Sequence, residues 1–371
     1  MSLTAPLPQG IWTRLPRPFS VLAPMEDVTD TVFRRMVQAA GAPDLMVTEF
    51  TSTDGLCTAG RPRVIGRLRF TPGERPLLAQ VWGNSPERYL RVAAEIREMG
   101  FDGLDINMGC PVRKIVSRGS CGALIQNPAL AAELVAAAKE GAGERPVSVK
   151  TRIGVSVPRA EEWLGFLLAQ GLAALTVHGR TVSQQSDGEA NWSAVGLAVR
   201  LRNEAGLPTL IVGNGDVRTA DAFHRRVRET GADGIMIGRG VFEDLFVFRS
   251  IRGKAAGSTG GAAGGTGGAA GETGAAAGSA GAGTGEADAA DFSALSPAQK
   301  IDWFRRHIDL HETTWGTAGR FDTLKKFAKT YLRAFEGAGR LVDAVMHTRT
   351  HAAAREALEA WVARREVPVQ V

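Results

Sequence analysis

The stretch Asp105-Ile106-Asn107-Met108-Gly109-Cys110-Pro111 decides how the fold of this chain is interpreted. The run from Phe101 to Ile106 is typical of a buried parallel strand, and the Gly-Cys-Pro turn after it places one thiol at the carboxyl end of that strand. In an α/β barrel, ligands and catalytic groups collect at this end. An isolated cysteine is usually a small buried hydrophobe. With Asn107 before it and Arg113-Lys114 after it, Cys110 is instead a candidate reactive group.

Short runs of strand character recur at regular intervals, and helical patterns separate most of them. We expect eight strands, at Phe19–Pro24, Leu45–Thr48, Pro76–Val81, Gly103–Asn107, Pro146–Lys150, Ala174–His178, Thr209–Val212 and Gly234–Ile237. Helix starts are predicted after the capping residues Ser85, Asn127 and Thr219. The pattern predicts an α/β fold, a (β/α)8 TIM barrel followed by a small C-terminal helical bundle domain.

The composition changes after the barrel, and this change predicts the domain boundaries. Of the 33 residues from Gly253 to Gly285, 25 are Gly or Ala, which cannot bury a core. The chain then becomes helical, with Ser296-Pro297 as cap and first turn and with Ile301, Phe304, Ile308 and His311 on one face. We therefore expect a catalytic barrel at 1–252, a disordered linker at 253–291 and a helical domain at 292–371.

Charge and cysteine content restrict the class of protein. The net charge of +5 and the pI near 9.4 permit a polyanionic partner without demanding one. The three cysteines form no CxxC pair and no disulfide framework, so we expect a reduced, cytoplasmic compartment and no metal site. No signal peptide or membrane span is expected, and no stable protein partner is evident, which favours a monomer.

Glycine-rich turns follow the last two predicted strands. Asn214-Gly215-Asp216 ends the seventh strand, and Gly238-Arg239-Gly240 ends the eighth, just before a predicted short helix at Val241–Arg249. Glycines let backbone N–H groups approach an anion, and barrels often bind a phosphate between these two loops. A phosphorylated cofactor or substrate is expected here.

The motif around Cys110, continued by Arg113-Lys114-Ile115-Val116, resembles the signature of the tRNA-dihydrouridine synthases, specifically the FMN-dependent bacterial type. Other motifs match this family in the same order, namely Ala23-Pro24-Met25-Glu26, Gln80-Val81-Trp82-Gly83, Val149-Lys150-Thr151-Arg152, Val177-His178-Gly179-Arg180-Thr181, Gly213-Asn214-Gly215-Asp216 and Gly238-Arg239-Gly240. The resemblance extends from about Phe19 to Phe248 and resumes from Arg320 to Trp361. One departure is Cys121, where the family usually has small residues; a packing role is the favoured interpretation.

The resemblance implies a flavin enzyme that acts on RNA. Reduced FMN would give a hydride to C6 of a uridine in tRNA, Cys110 would give the proton to C5, and NADPH or NADH would be the reductant. Residues expected to bind FMN are Pro24, Met25, Glu26, Gln80, Lys150, His178, Asn214, Gly215, Asp216, Gly238 and Arg239. Asn107, Arg152 and Arg180 are expected to bind the substrate. The base must leave its stack to reach the flavin.

Two further implications concern Lys150 and the C-terminal part. Lys150 ends the fifth predicted strand, where its ammonium would face the mouth of the barrel and stabilise a reduced flavin. Residues 291–371 carry 13 Lys/Arg against 10 Asp/Glu, and in the family a helical domain at this place binds tRNA.

Three other functions stay open from the residues alone. The first is a flavin barrel oxidoreductase that acts on a small pyrimidine or enone, which the basic helical tail argues against. The second is a barrel without redox chemistry that binds a sugar phosphate, which a yellow purified protein would exclude. The third is an RNA-binding module without catalysis, which would not need Cys110.

Overall fold

The computed structural model describes residues 10–258, 291–316 and 321–366, and its strands form a closed parallel barrel. The strands are β1 Phe19–Leu22, β2 Leu45–Val47, β3 Thr51–Ser52, β4 Leu77–Trp82, β5 Gly103–Met108, β6 Val147–Arg152, β7 Ala174–His178, β8 Leu210–Asn214 and β9 Gly234–Ile237. Each strand pairs in parallel with its neighbours, β9 pairs with β1, and β2 pairs with β4 to close the ring. The predicted (β/α)8 barrel is confirmed. The short strand β3 is an addition that pairs with the carboxyl end of β4.

The addition arises from a bulge between β2 and β3. Val47 pairs with Leu78 and Thr51 pairs with Val81, so three residues on one side face two on the other. The Thr48 hydroxyl accepts a hydrogen bond from the backbone N–H of Gln80 at 3.0 Å. This bond replaces a backbone bond at the point where the bulge interrupts the strand pairing. The bulge carries Phe50 to the mouth of the barrel, where it becomes part of the site described below.

Helices alternate with the strands along the chain. They are α1 Thr31–Gly41, α2 Thr53–Leu56, α3 Arg61–Val64, α4 Pro86–Glu98, α5 Arg113–Val116, α6 Pro128–Ala142, α7 Ala160–Leu168, α8 Ser193–Glu204, α9 Ala220–Thr230 and α10 Gly240–Glu243. Ser85, Asn127 and Thr219 cap α4, α6 and α9 through side-chain oxygens that accept the backbone N–H three residues later, as predicted.

The chain divides into two compact units, 1–241 and 242–371. The second unit contains α11 Val247–Ser258, α12 Pro297–Trp315, α13 Asp322–Tyr331, α14 Ala338–His347 and α15 His351–Glu366. Ser296 caps α12 in a capping box with Gln299, and the four residues expected on one face of α12 are all buried. No described helix is long and apolar enough to cross a membrane.

The start of the second unit differs from the predicted boundary. Helix α11 continues to Ser258, so residues 253–258 are helical where a linker was expected, and 259–290 lie outside the described residues. The Phe246 ring packs edge-on against Phe292 and Trp303, with centroids 5.3 and 5.7 Å away. These aromatic contacts join the segment after Val241 to the helical unit, whereas the composition alone placed it with the barrel.

Buried histidines lie inside the helical unit. His307 Nδ1 lies 3.0 Å from the Tyr331 hydroxyl, and His311 Nδ1 lies 3.0 Å from His351 Nε2. Burial, followed by the charge of His311, lowers the pKa of His307 to about 3. His307 is therefore neutral at physiological pH, and its protonation opposes folding.

We expect the free energy of unfolding to fall as pH decreases below 6.5, the ordinary histidine pKa. In that range the unfolded chain binds a proton at His307 that the folded chain excludes until about pH 3, so stability is complete above pH 6.5 and is lost toward acid. The slope for one such group is about 1.4 kcal/mol per pH unit. Urea unfolding followed by tryptophan fluorescence at pH 7, 6 and 5 measures it. His307→Gln, which does not titrate, should have the shallower slope; equal slopes would contradict this account.

Candidate active site

Two adjoining cavities open at the carboxyl ends of the barrel strands, and both lie within the first unit. One has a volume of about 150 Å³ and is lined by Cys110 together with Asn107 and Arg152. The other, of about 200 Å³, is lined by the turns after β8 and β9. Pro24, Lys150 and His178 line both cavities and therefore form their common wall. We call the first the thiol cavity and the second the anion cavity.

Asn107 organises the turn that presents the thiol. Its Oδ1 accepts the backbone N–H groups of Gly109 at 3.0 Å and Cys110 at 2.9 Å. Its Nδ2 donates to Gln80 Oε1 at 3.0 Å, and Gln80 Nε2 donates to Asp105 Oδ2 at 2.7 Å. The amide of Asn107 cannot rotate without breaking these bonds, so three buried side chains on β4 and β5 hold Cys110 at the cavity.

The surroundings of Cys110 favour a reactive thiol. Cys110 is 8% exposed and packs in one cluster with Phe50 and Cys121. The Cys121 thiol, as a hydrogen-bonding neighbour, and the Val112 N–H lower the pKa of Cys110, although burial opposes them. Cys121 itself is fully buried at a positive φ of 53°, and burial raises its pKa well above the ordinary value. Cys121 thus stays protonated beside Cys110.

Lys150 is the cation at the wall between the two cavities. Its Nζ donates to Asn214 Oδ1 at 3.1 Å, and Asn214 Nδ2 donates to the Met236 carbonyl at 2.8 Å. Burial, followed by the charge of Arg152, lowers the pKa of Lys150 to about 8. An ammonium has three N–H donors, and among the described residues only Asn214 takes one of them. The remaining donors favour an acceptor in the cavity.

Arg152 stabilises the loops at the rim of the thiol cavity. Its Nε donates to the Gly109 carbonyl at 2.8 Å, and its Nη1 donates to the carbonyls of Thr181 and Gln185, each at 2.8 Å. These bonds tie the turn after β5 to the loop after β7. Among the described residues Nη2 has no bonded partner, so this end of the guanidinium is available to a ligand.

The anion cavity is lined by glycine-rich turns and by arginines. Gly215 and Asp216 contribute from the turn after β8, and Gly238 and Arg239 contribute from the turn after β9. A Cβ at Gly240 would lie 2.5 Å from the Val217 carbonyl oxygen, so only glycine lets the two turns approach this closely. The backbone is therefore shaped to surround a small anion.

Asp216 and His178 complete this cavity. Asp216 Oδ2 lies 2.5 Å from Arg180 Nη2, and Arg239 approaches Oδ1 at 3.4 Å. Burial acts to raise the pKa of Asp216, but the hydrogen bonds from Arg180 and the Ala190 N–H, with the charges of Arg180 and Arg239, together outweigh it and leave the pKa lowered. Burial, with Lys150 next, lowers the pKa of His178 far below its usual range. Because Arg180 Nη1, 3.2 Å away, can only donate, the neutral His178 accepts at Nε2 and carries its proton on Nδ1.

The two cavities bring together most of the residues singled out from the sequence, with three differences in placement. Gln80 is fully buried and supports Asn107. Glu26 pairs with Arg67 at 2.7 Å. Arg180 lies in the anion cavity, with its guanidinium bonded to protein atoms, rather than beside Cys110. The flavin contacts predicted for Gln80 and Glu26 and the substrate contacts predicted for Arg180 and for Asn107, whose polar atoms are bonded to protein, stay predictions.

Sequence reasoning did not select Phe50, Ser186 or Arg218, which also line the cavities. Phe50 reaches the thiol cavity only through the β2–β3 bulge, and Ser186 and Arg218 lie on loops without a distinctive motif. In the sequence, Arg218 is marked only by its position two residues after Asp216, which was selected.

Fold and site together define a class of protein, a (β/α)8 barrel with a glycine-rich, arginine-lined cavity at the ends of β8 and β9 and a thiol in the cavity beside it. The family model described as Dihydrouridine synthase (Dus) matches residues 21–258. The chain is 39% identical over 345 residues to "Probable tRNA-dihydrouridine synthase 2" of Bacillus subtilis (strain 168), covering 92% of this chain and 93% of that protein. It is 35% identical over 366 residues to "Probable tRNA-dihydrouridine synthase" of Staphylococcus epidermidis RP62A, covering 98% and 99%. The chain belongs to the dihydrouridine synthase family.

Proposed function

We propose that this protein reduces uridines in tRNA to 5,6-dihydrouridine, with FMN as cofactor and NADPH or NADH as reductant. The observation that carries the proposal is the common wall of the two cavities, where Lys150 lies between the thiol of Cys110 and the anion cavity. A phosphorylated redox cofactor needs one site, and a substrate that is protonated by a protein side chain needs another site directly beside it.

The residues of the anion cavity fit FMN. Backbone N–H groups of the turns at Gly215 and Gly238, with the guanidinium of Arg239, suit a phosphate. The free donors of Lys150 suit the oxygen and nitrogen atoms at one edge of the flavin ring, and Pro24 and Met25 line the same cavity and would pack against the ring. When bound, FMN supplies the hydride that C6 of the uracil ring accepts.

The residues of the thiol cavity supply the proton and hold the base. Hydride addition at C6 leaves negative charge that is shared between C5 and the C4 carbonyl, and Cys110 gives its proton to C5. Arg152 Nη2 is free to bond a uracil carbonyl, while the other nitrogens of Arg152 fix the cavity rim. Asn107 keeps the thiol in place through the backbone and is a positioning residue, since both of its polar atoms are bonded to protein.

The RNA partner accounts for the remaining features of the chain. The uridine must leave its stack to enter a cavity of about 150 Å³. We assign RNA binding to the helical part of the chain as well, because its 291–371 segment carries a net charge of +3 from 13 basic and 10 acidic residues. Because tRNA is the proposed substrate, we place the protein in the cytoplasm, and we expect it to act as a monomer.

We expect the purified protein to be yellow and to convert uridine to dihydrouridine in tRNA from a strain that lacks this gene. Mass spectrometry of nuclease-digested tRNA, which gains 2 Da for each reduced uridine, would detect the product. Turnover of free uracil or a small enone at the rate seen with tRNA would instead assign the protein to the small-molecule flavin oxidoreductases. A colourless protein that gains no flavin on addition of FMN would contradict the proposal.

A further inference from the structure

A third cavity lies beside the thiol cavity and has no part in the mechanism above. It is a groove of about 650 Å³ between α5 and the loops that follow β6 and β7. Pro111 lines both the groove and the thiol cavity, so the two spaces adjoin at the turn that carries Cys110. A ligand that extends out of the thiol cavity on this side enters the groove.

The walls of the groove combine an apolar surface with unpaired positive charge. Val116, Val155 and Val182 contribute the apolar part, and Arg113 and Lys114 are exposed on the α5 side. Neither of these cations has an ion pair with any residue that the structure describes, and none of the nine residues lining the groove is acidic. A ligand with an apolar face and a negative group matches this surface.

The groove is also held in a fixed shape. Arg152, which lines the thiol cavity, bonds the carbonyl oxygen of Gln185 on the wall of the groove and that of Thr181 just before this wall. Gln185 has a positive φ of 48°, and its side chain is exposed at the groove. A non-glycine residue adopts this conformation only where its surroundings impose it. The bonds from Arg152 thus connect the wall of the groove to the site where the base is held.

We propose that this groove binds the nucleotide next to the target uridine in the RNA strand, with its phosphate at Arg113 and Lys114 and its base or ribose against the valines. The inference rests on the proposed function. A volume of about 650 Å³ lies within the range that holds small organic ligands, and a nucleotide supplies both the flat apolar face and the negative group. The groove would make reduction depend on an RNA strand, since a free base leaves it empty.

The test uses the full-length flavin-loaded protein and unmodified tRNA transcript. In the double variant Arg113→Ala/Lys114→Ala, we expect KM for tRNA to rise about tenfold, with kcat changed less. The slope of log binding constant against log salt concentration should become shallower by about 0.7 to 1, because the contacts to one phosphate are lost. Ser183→Trp, which fills the groove without changing charge, should also raise KM but should leave the salt slope unchanged.

The matched control is Arg91→Ala/Arg200→Ala, which removes two exposed cations from the outer helices α4 and α8. Equal KM and salt slope in the groove variant and in this control would overturn the inference. A higher KM for NADPH with unchanged tRNA binding would also overturn it and would assign the groove to the reductant. A wild-type protein that binds tRNA without forming dihydrouridine would contradict the proposed function. If the salt slope of tRNA binding is then shallower in the groove variant and not in the control variant, the groove is still an RNA-binding site.

Discussion

Replacing Cys110 with alanine should reduce uridine turnover by about 10³-fold, within the range expected for loss of a positioned general acid. The protein should still retain FMN and should still be reduced by NADPH, because Cys110 lines the thiol cavity and not the anion cavity. Stopped-flow measurement of flavin reduction, followed by reoxidation with tRNA, separates these two steps. Only the reoxidation step should slow.

The pH profile gives a second readout of the same group. Because an acid must hold its proton to donate it, turnover should decline as pH rises through the pKa of Cys110, which Cys121 and the Val112 N–H hold below its ordinary value. Cys121→Ala removes the first of these influences and should shift the decline to higher pH. Cys57→Ala removes a free thiol that lines neither cavity and is the matched control. Full turnover by Cys110→Ala would contradict the assignment of Cys110 as the general acid.

Replacing Lys150 with alanine should weaken FMN binding by about 10- to 100-fold and slow flavin reduction. The lost group is a buried cation, and a hydrogen bond to a charged group contributes about 1.5–3 kcal/mol. Its removal also leaves Asn214 Oδ1 without the donor 3.1 Å away. Flavin content after dialysis and the rate of reduction by NADPH measure the two effects.

The comparison variants for Lys150 distinguish charge from packing. Lys150→Arg keeps the positive charge and should retain more flavin than Lys150→Ala. Lys139→Ala removes another partly buried lysine, whose Nζ bonds the Gln170 carbonyl on the outside of the barrel, and should leave flavin binding unchanged. If Lys150→Ala keeps full occupancy and reduction rate, Lys150 only supports the ends of β6 and β8.

The sequence alone determined the barrel and the order of its site residues. Runs of strand character alternate with helices that begin at capping residues. Both patterns involve residues close together in the chain, so they can be recognised without the tertiary structure. All eight predicted strands are present, the caps at Ser85, Asn127, Thr219 and Ser296 are confirmed, and Lys150 lies at the mouth as expected from its place near the end of β6. A parallel barrel brings every strand's carboxyl end to one rim, so chain order predicts which side chains meet there.

Only the tertiary structure decided what each of those side chains does. Gln80 and Asn107 lie on neighbouring strands, and their mutual bond turns both into supports for Cys110. Arg180 is committed to Asp216 and to backbone carbonyls across a loop, and Phe246 joins the helical unit through rings from residues more than 40 positions away. Such pairings depend on distances between residues far apart in the chain, which local patterns do not encode. For the same reason the sequence did not predict the groove beside Cys110, because its walls come from α5 and from two separate loops.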